Sequence, residues 1–562
     1  MTVTETVRAT ASCAIHYAAE AYESDHPRVV GRQSAGAGFL EALVRSGTQR
    51  ELYCLTGSQS EFAEFQRKVA SLTPEPLPSV WVRPDDLEPL RKAGCLYQPG
   101  PIIAEIAWLR RFRDERLFSI CGITHSVATD RVIRGIRDFL TAPTQPWDAL
   151  VCTSKSALAA TERIMDSWTD YLVGRGFTVP ANPMRTAVIP LGVHLDRFRR
   201  DEAAFARGRA LRRRLNIPEE AVVGLYFGRF DFLSKAHPTP MYRSFELAQR
   251  ALPPDRLHLL MTGQFGDPRA AAQFENARNR FGQSINLHML DGNDGEADAS
   301  WFAADFFVSL TDNVQESFGL TPVEAMAASL PCIVSDWDGY RETVVDGETG
   351  FLIPTLTPPP GAGIEIADHL ARRAFDHYTY IGIVSQSTAV DIDACAHAIV
   401  RLTNDRELRL RLGESARRRA ETVYDWRTII EQYTDLWSEL AELRGAAPVL
   451  AKRQASETVH PDYPDPFSMF RAHPTRALGD DDEVALADLD APFVLERLRK
   501  HGLHTFAGNL LLEPPVVDRL LAVLATPRTV RELIGEVGAP RRERLLRTVA
   551  WLYKYGIVSV PS

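Results

Sequence analysis

Short apolar runs alternate with helical patterns along most of this chain. A first series is predicted as buried parallel strands at 117–122, 149–153 and 186–189. A second series follows at 222–227, 257–262, 285–289, 304–310 and 331–334. Each run is short, rich in β-branched or aromatic residues, and separated from the next by helical or turn-rich sequence. The pattern therefore predicts an α/β fold with two doubly wound units in tandem.

The periodicity changes after about residue 445. Residues 446–490 are rich in Pro, Asp and Arg and lack a period, which predicts a linker with little structure. Helical periods return over 491–562 and end in a strand-like run at 557–560. A few short helices with a terminal strand are typical of a small, mostly helical, winged-helix-like accessory domain. We interpret this domain as a module for docking or for recognition of an acceptor substrate. The alternative is DNA binding, which the basic cluster 541–544 suggests.

Length and composition suit a multidomain enzyme. The chain has 562 residues, and we expect an N-terminal Rossmann-like domain at 1–200, a C-terminal one at 201–445, and the linker and accessory domain described above. The net charge of −9 argues against nucleic acid as a partner. No apolar run reaches about 18 residues, so no transmembrane segment is expected. The seven scattered cysteines and the absence of a signal pattern predict a reduced, cytoplasmic protein.

Two carboxylates eight residues apart, Glu316 and Glu324, bracket an abrupt change from loop to helix. Thr321 and Glu324 fit a capping box, which predicts a helix that begins at Pro322. The free N–H groups of its first turn would form an anion site, and Gly319 would let the backbone come close to a ligand. This combination suits a sugar nucleotide. Two local alternatives stay open: Glu324 only completes the capping box, and Glu316 is a solvated loop carboxylate.

Several segments together resemble the retaining family 4 glycosyltransferases, which have the GT-B architecture of two Rossmann-like domains facing a cleft. They are Ile189-Pro190-Leu191-Gly192-Val193, Gly228-Arg229-Phe230 with Lys235, Glu316-Ser317-Phe318-Gly319-Leu320, Glu324-Ala325-Met326-Ala327 and Thr349-Gly350-Phe351-Leu352. The resemblance covers roughly residues 185–440 well and the N-terminal part thinly. Two positions depart from the family pattern. Ala236 replaces the glycine usual after the lysine, and Ser329 replaces a helix-ending glycine.

The resemblance implies a phosphate clamp. Arg229 offers a planar fork and Lys235 a mobile point charge to the diphosphate leaving group. Main-chain N–H groups would complete it, from Phe318, Gly319, Leu320 and Thr321. The alternative for Arg229 and Lys235 is a pair of solvated surface cations.

The resemblance also assigns the sugar and nucleotide contacts. Glu316 would bind sugar hydroxyls and Glu324 the ribose hydroxyls, with neither acting as a nucleophile. His125, at the end of a predicted strand, would hold a hydroxyl of the donor sugar; its alternative is a structural hydrogen bond. Gly36 and Gly38 would lie in a flexible loop near the phosphates, although small Gly/Ala segments are also common as plain turns.

The implied function is a retaining, hexosyl-type glycosyltransferase. A UDP-sugar donor is favoured, with GDP and ADP donors open, and the acceptor is unknown; the C-terminal tail would suit a peptide or protein-tethered acceptor. No metal or other cofactor is implied, and the acidic run at 480–483 is predicted as solvated charge. The alternative is a catalytically silent scaffold that binds a nucleotide sugar and acts through its C-terminal domain.

Overall fold

The computed structural model describes residues 12–23, 31–75, 77–266, 268–448, 460–487 and 490–561. The chain divides into two compact units, one up to residue 455 and the other from residue 456. The first unit contains two parallel sheets, each with its own helices.

The first sheet has seven parallel strands in the order β3-β2-β1-β4-β5-β6-β7. The strands are β1 Cys13–His16, β2 Leu52–Leu55, β3 Ser79–Val82, β4 Cys95–Gln98, β5 Ser119–Ile123, β6 Ala149–Cys152 and β7 Arg185–Val188. The associated helices are α1 Ala19–Tyr22, α2 Gly31–Arg45, α3 Gln59–Leu72, α4 Leu90–Ala93, α5 Ala104–Arg113, α6 Asp130–Arg137 and α7 Lys155–Gly174. The reversal of strand order between β1 and β4 is the switch point at which such sheets bind ligands.

The second sheet has six strands in the order β10-β9-β8-β11-β12-β13, parallel throughout. They are β8 Val222–Phe227, β9 Leu257–Gly263, β10 Asn286–Asp291, β11 Phe306–Ser309, β12 Cys332–Ser335 and β13 Gly350–Ile353. The helices among them are α8 Glu202–Arg214, α9 Pro238–Arg250, α10 Pro268–Phe281, α11 Ser300–Ala303, α12 Leu320–Ala327 and α13 Tyr340–Thr343. β8 and β9 are apolar almost throughout because helices cover both faces of the sheet.

The last part of the first unit is helical apart from one short antiparallel strand pair. β14 Thr355–Leu356 pairs with β15 Ala389–Val390, and the helices are α14 Ile364–Ala371, α15 His377–Gln386, α16 Ile392–Asn404, α17 Arg406–Val423 and α18 Trp426–Ala446. α18 returns to the first sheet, where Tyr433 packs edge-on against Phe39 with ring centroids 5.1 Å apart. Arg444 donates to the Ser119 hydroxyl at 2.5 Å. The final helix therefore ties the two halves together.

The predicted α/β architecture of two doubly wound sheets is confirmed, and all eight predicted strands are present within about two residues of their expected bounds. Five strands of the two sheets were not among those predicted: β1, β2, β3, β4 and β13. Of these, β1 lies inside the first sheet, between β2 and β4, and its sequence, CAIH, ends in a polar residue. None of the helices in the described ranges combines the length and apolar character needed to cross a membrane. All seven cysteines are free and buried.

The second unit combines short helices with a small antiparallel sheet. Its helices are α19 Pro466–Met469, α20 Ala491–Arg499, α21 Gly502–Thr505, α22 Pro514–Val523, α23 Val530–Val537 and α24 Arg542–Lys554. The sheet order is β17-β16-β18, with β16 Glu483–Leu486, β17 Arg528–Thr529 and β18 Val558–Ser559. The prediction of little structure over 446–490 is thus wrong for β16, the central strand. The other domain limits and the winged-helix-like interpretation stay predictions.

Aspartates of the acidic run pair with arginines of the second unit and remain partly solvated, and the side chain of Asp481 is 87% exposed. Asp480 accepts from Arg542 at 2.7 Å and Asp481 from Arg531 at 2.9 Å. Part of the basic cluster that suggested DNA is therefore used inside the unit. Across the described part of the chain, no group of three or more His, Cys, Asp or Glu side chains could hold a metal ion.

Candidate active site

A cavity of about 1080 Å³ opens between the two sheets at the carboxyl ends of their strands. From the first half it is lined by residues that include Arg32 and His125, and from the second by residues that include Arg229, Lys235 and Glu316. Parallel α/β sheets bind ligands at this edge. The predicted cations and the predicted carboxylate are thus brought into one place.

Lys235 and Glu316 form an ion pair inside this cavity. Their side chains are only 18% and 14% exposed, so each charge depends on the other. Burial acts to lower the pKa of Lys235, but the Glu316 carboxylate, together with Tyr340 and Tyr226, outweighs it and holds that pKa above its usual value. Lys235 is therefore a fixed cation, already neutralised by one carboxylate in the absence of ligand.

The turn that presents Lys235 is held by Asp231. Its carboxylate accepts from the backbone N–H groups of Leu233 and Ser234 at 2.9 and 3.2 Å. The Lys235 N–H donates to the Asp231 carbonyl at 3.0 Å. Arg229, at the entrance to the same turn, lies 3.8 Å from the Asp231 carboxylate and keeps 38% of its side chain exposed. One turn thus presents a partly buried lysine and a more exposed arginine.

The prediction of a capping box at Thr321 and a helix start at Pro322 is wrong. α12 begins at Leu320, its N-cap is Gly319, and no side chain caps it. Gly319 has φ = 88°, and a Cβ there would lie 2.0 Å from the ring of Tyr340. The first N–H groups of α12 are therefore not capped by a side chain. The cavity is lined by Leu320 and Thr321 at the start of α12 and by Phe318 and Gly319 just before it.

Glu324, which the helix start does not use as a cap, lines the cavity from inside α12. Burial raises the pKa of its carboxyl to about 7. Near neutral pH this carboxyl is therefore held in both protonation states, able to donate or accept a hydrogen bond. The purely local alternative for Glu324 does not fit this position.

His125 reaches the cavity two residues beyond β5. Its backbone carbonyl accepts from the Ser317 hydroxyl, so it also joins the two halves. Burial, followed by the nearby Arg32, lowers the pKa of the imidazole to about 3. The ring is neutral at physiological pH, which suits a hydrogen bond to a hydroxyl better than an electrostatic role.

Gly36 and Gly38 do not lie in a flexible loop, so that prediction is wrong. Both are inside α2, and neither lines the cavity. A Cβ at Gly36 would lie 2.0 Å from the Ala21 carbonyl oxygen, and one at Gly38 would lie 2.9 Å from the Trp426 ring. Glycine is required at both positions because α1 and α18 pack closely against α2. A run of small residues that allows such helix packing has the same composition as a flexible loop, which explains the wrong prediction.

Several cavity residues were not predicted. The start of α2 contributes Gly31, Arg32 and Ser34 from just upstream of the predicted glycines. The ends of β9 and β10 add another group: Gly263, Gln264, Gly292 and Asn293. Each of these lies at or just after the carboxyl end of a strand. These residues could have been predicted, because they follow the ends of the predicted strands 257–262 and 285–289.

The two departures from the family pattern, Ala236 and Ser329, each lie next to a helix end. His237, which follows Ala236, caps α9, with its Nδ1 accepting from the Thr239 N–H at 3.2 Å. It is not among the cavity-lining residues. Ser329 adopts the left-handed conformation expected at a helix end, with φ = 62°.

Comparison with known proteins identifies a recognised domain that includes the second-sheet side of this site. Residues 209–358 match the family model described as glycosyl transferases group 1. A D-inositol 3-phosphate glycosyltransferase from Streptomyces scabiei is 33% identical over 186 residues, which cover 32% of this chain and 39% of that protein. The similarly named protein of Geodermatophilus obscurus is 34% identical over 196 residues, covering 34% and 42%. The chain thus matches about two fifths of the length of these curated relatives.

A solved structure shows the same fold. The glycosyltransferase from Rickettsia africae ESF-5 aligns with a TM-score of 0.50 at 12% identity, covering 76% of this chain and 98% of that one. At this identity the likeness concerns the fold alone. It agrees with the GT-B architecture predicted from the sequence and seen in the two facing sheets.

Proposed function

Because the chain carries a glycosyltransferase group 1 domain at residues 209–358, we propose that it transfers a sugar from a nucleotide-sugar donor to an acceptor with retention of anomeric configuration. A UDP-sugar is the favoured donor, and the transferred group is of the hexose type. The reaction is proposed to need no metal or other cofactor.

One observation carries this proposal. The partly buried Lys235–Glu316 pair, the more exposed Arg229 and the uncapped start of α12 all face one cavity. Together they supply two cations, main-chain donors at a helix N-terminus and a carboxylate, within a space of about 1080 Å³. This is the set of groups that a diphosphate joined to a sugar requires.

The cations act on the leaving group. As the bond to the sugar breaks, negative charge grows on the departing phosphate oxygen. Lys235 and Arg229 stabilise that charge, and the α12 N–H groups donate to the same phosphates. Because Lys235 is paired with Glu316 before the donor binds, the phosphate shares this cation with the carboxylate. The leaving phosphate then accepts the acceptor's proton on the face from which it departs, which gives retention.

The two glutamates bind hydroxyl groups. Glu316, held beside Lys235, accepts from hydroxyls of the donor sugar. Burial raises the pKa of Glu324 to about 7. Near neutral pH its carboxyl can therefore either donate a hydrogen bond to a ribose hydroxyl or accept one from it. His125, neutral at physiological pH, contacts the sugar from the opposite wall.

The acceptor enters from the first half of the unit, where Arg32 and Ser34 line the cavity. Its identity is open. A peptide or protein-tethered acceptor would give the second unit a role in recognition. The curated relatives are named for D-inositol 3-phosphate, which makes that compound a natural member of an acceptor screen.

The test is release of nucleotide from a donor panel: UDP-glucose, UDP-N-acetylglucosamine, GDP-mannose and ADP-glucose. Each is incubated alone, with D-inositol 3-phosphate, and with a cell extract, and the anomeric configuration of any product is read by NMR. We expect slow release from one donor alone and faster release with an acceptor. Binding without release under every condition would favour the silent scaffold, and an inverted product would contradict retention.

A further inference from the structure

Residues 355–390 form an excursion of the chain between β13 and α16. Its two ends are joined, because β14 pairs with β15 and the Asp391 N–H donates to the Pro354 carbonyl at 2.9 Å. The excursion contains α14 and α15, and Tyr378 in the first turn of α15 lines the cavity between the two sheets. Most of it lies beyond residue 358, where the match to the family model ends. The excursion therefore adds to the cavity a part of its wall that the family model does not include.

One face of α15 packs against the turn that presents Lys235. This face consists of four residues at intervals of three and four: Tyr378, Ile381, Gly382 and Ser385. The last three of them are buried. A Cβ added at Gly382 would lie 2.4 Å from the Leu233 side chain. Because Leu233 is part of the turn, α15 and the Lys235 turn are in direct contact.

The side-chain amide of Asn313 joins α15 to this turn and to the loop that presents Glu316. Its Nδ2 donates to the Leu233 carbonyl at 2.6 Å and to the Ser385 hydroxyl at 2.9 Å. Its Oδ1 accepts from the Gln315 N–H at 2.9 Å. A carbonyl can only accept and an N–H can only donate, so these two backbone partners fix the orientation of the amide. Asn313 is fully buried, and water does not compete for these bonds.

The backbone groups that Asn313 binds adjoin the ion pair of the cavity. Leu233 precedes Lys235 by two residues, and Gln315 immediately precedes Glu316. One buried amide therefore sets the spacing between the two segments that carry the charges. The Ser385 hydroxyl donates to the Ile381 carbonyl at 3.1 Å, which leaves its oxygen directed as an acceptor for Asn313.

We propose that Asn313 and Ser385 are positioning residues that hold Lys235 against Glu316, so that the pair is preorganised for a phosphate. Their importance for the reaction rests on the transfer function proposed above. Neither side chain lines the cavity, so each acts through the turn and the loop that it holds. A charged group whose own supports are fixed by hydrogen bonds loses less free energy to rearrangement when a ligand binds.

The first test measures how well Lys235 is protected from acetylation, with the extent of labelling read for each lysine by mass spectrometry. Asn313→Asp removes both donors of the amide, and the milder Ser385→Ala removes only the acceptor on α15. We expect Lys235 to react about three- to tenfold faster in both variants, the effect of losing one or two hydrogen bonds. The exposed Lys92 is the internal reference. Ser385→Ala decides the test if the carboxylate of Asn313→Asp prevents folding.

Ser244→Ala is the matched control. Ser244 is also a buried helical serine that donates to the carbonyl four residues earlier, at 2.9 Å, and it joins α9 to the Ile392 carbonyl at 3.2 Å. Its described hydrogen bonds do not involve the Lys235 turn. Labelling of Lys235 should therefore stay unchanged in this variant, even if the melting temperature falls as much as in Ser385→Ala.

The second test connects the positioning to phosphate binding. UDP, GDP and ADP are titrated with their nucleosides into the full chain and the two positioning variants. We expect the preferred diphosphate to bind about three- to tenfold more weakly in both variants, with nucleoside affinity unchanged. If the unmodified chain binds none of the three diphosphates, the proposed donor fails, and the labelling still decides whether Asn313 and Ser385 hold Lys235.

Three results would overturn the inference. Unchanged Lys235 labelling in both variants, or an equal rise in Ser244→Ala, would show that the two residues only stabilise the fold. Faster labelling with unchanged diphosphate affinity would show that the position of Lys235 does not matter for phosphate binding.

Discussion

At the scale of single residues, the main feature of the cavity between the two sheets is the partly buried ion pair of Lys235 and Glu316. Neither charge is well solvated, and each is stabilised mainly by the other. A phosphate that enters the cavity meets a lysine whose position and charge are already set. Preorganised charge of this kind stabilises a transition state without rearrangement during the reaction.

Replacing Lys235 by alanine tests its role directly. We expect Lys235→Ala to lower nucleotide release about 100-fold, which corresponds to about 3 kcal/mol of transition-state stabilisation. The control is Lys92→Ala, on the exposed side of α4, which should release nucleotide at the unmodified rate. Unchanged release in Lys235→Ala would show that the phosphate clamp is assigned to the wrong residue.

At the scale of elements, the start of α12 depends on one glycine. Gly319 holds a left-handed φ of 88° while the Tyr340 ring packs against its backbone. No side chain larger than hydrogen fits there. With glycine as the N-cap, the first N–H groups of α12 stay free to bind a ligand. A capping side chain would have accepted hydrogen bonds from them instead.

Gly319→Ala should destabilise the first unit through both strain and overlap. The expected loss in free energy of unfolding is about 2–5 kcal/mol, from the left-handed backbone and the forced movement of Tyr340. Gly347→Ala is the matched control, since Gly347 has φ = 73° but a Cβ added there would meet no atom within 4 Å beyond its chain neighbours. It should cost only about 1–2 kcal/mol. Equal losses in urea denaturation would contradict the role of Tyr340.

Elements with long periodic sequences could be predicted, and those set by packing between distant segments could not. The bounds of β8 could be predicted from its apolar run, because both faces of this strand are buried. The place of β1 between β2 and β4 follows from pairing with strands that are distant in sequence. Gly36 was misassigned because its small size serves a contact with α1 that the local sequence does not encode.

The same division holds for the site. Arg229, Lys235 and Glu316 were predictable because they follow strands whose carboxyl ends meet in space. The start of α12 was not, since a capping box and a glycine cap are both compatible with the local sequence. Tertiary contact with Tyr340 decided between them.

At the scale of the whole molecule, the two halves of the first unit meet through polar contacts beside the cavity. Ser317 donates to the His125 carbonyl, and the Ser154 hydroxyl donates to Asp338 at 3.4 Å. Such contacts are small and polar, which is typical of interfaces that open and close. We expect the halves to move relative to each other when a donor binds.

The contact at Asp338 should make stability depend on pH. Burial, and then Glu316, raise the pKa of Asp338 from 3.8 to about 7. The folded state therefore holds a proton that the unfolded state loses, and stability falls as pH rises from about 4 to about 7. Asp338→Asn should gain on the order of 2 kcal/mol relative to the unmodified chain over this range. A stability difference that stays constant with pH would contradict the assignment.

The most direct test of the central claim compares nucleoside diphosphates with their matching nucleosides by titration calorimetry. If Arg229, Lys235 and the start of α12 hold a diphosphate, one diphosphate should bind at least about 100-fold more tightly than its nucleoside. Lys235→Ala should reduce that ratio about tenfold while leaving nucleoside affinity unchanged. Equal affinities for diphosphate and nucleoside, or the same ratio in Lys235→Ala, would contradict the account.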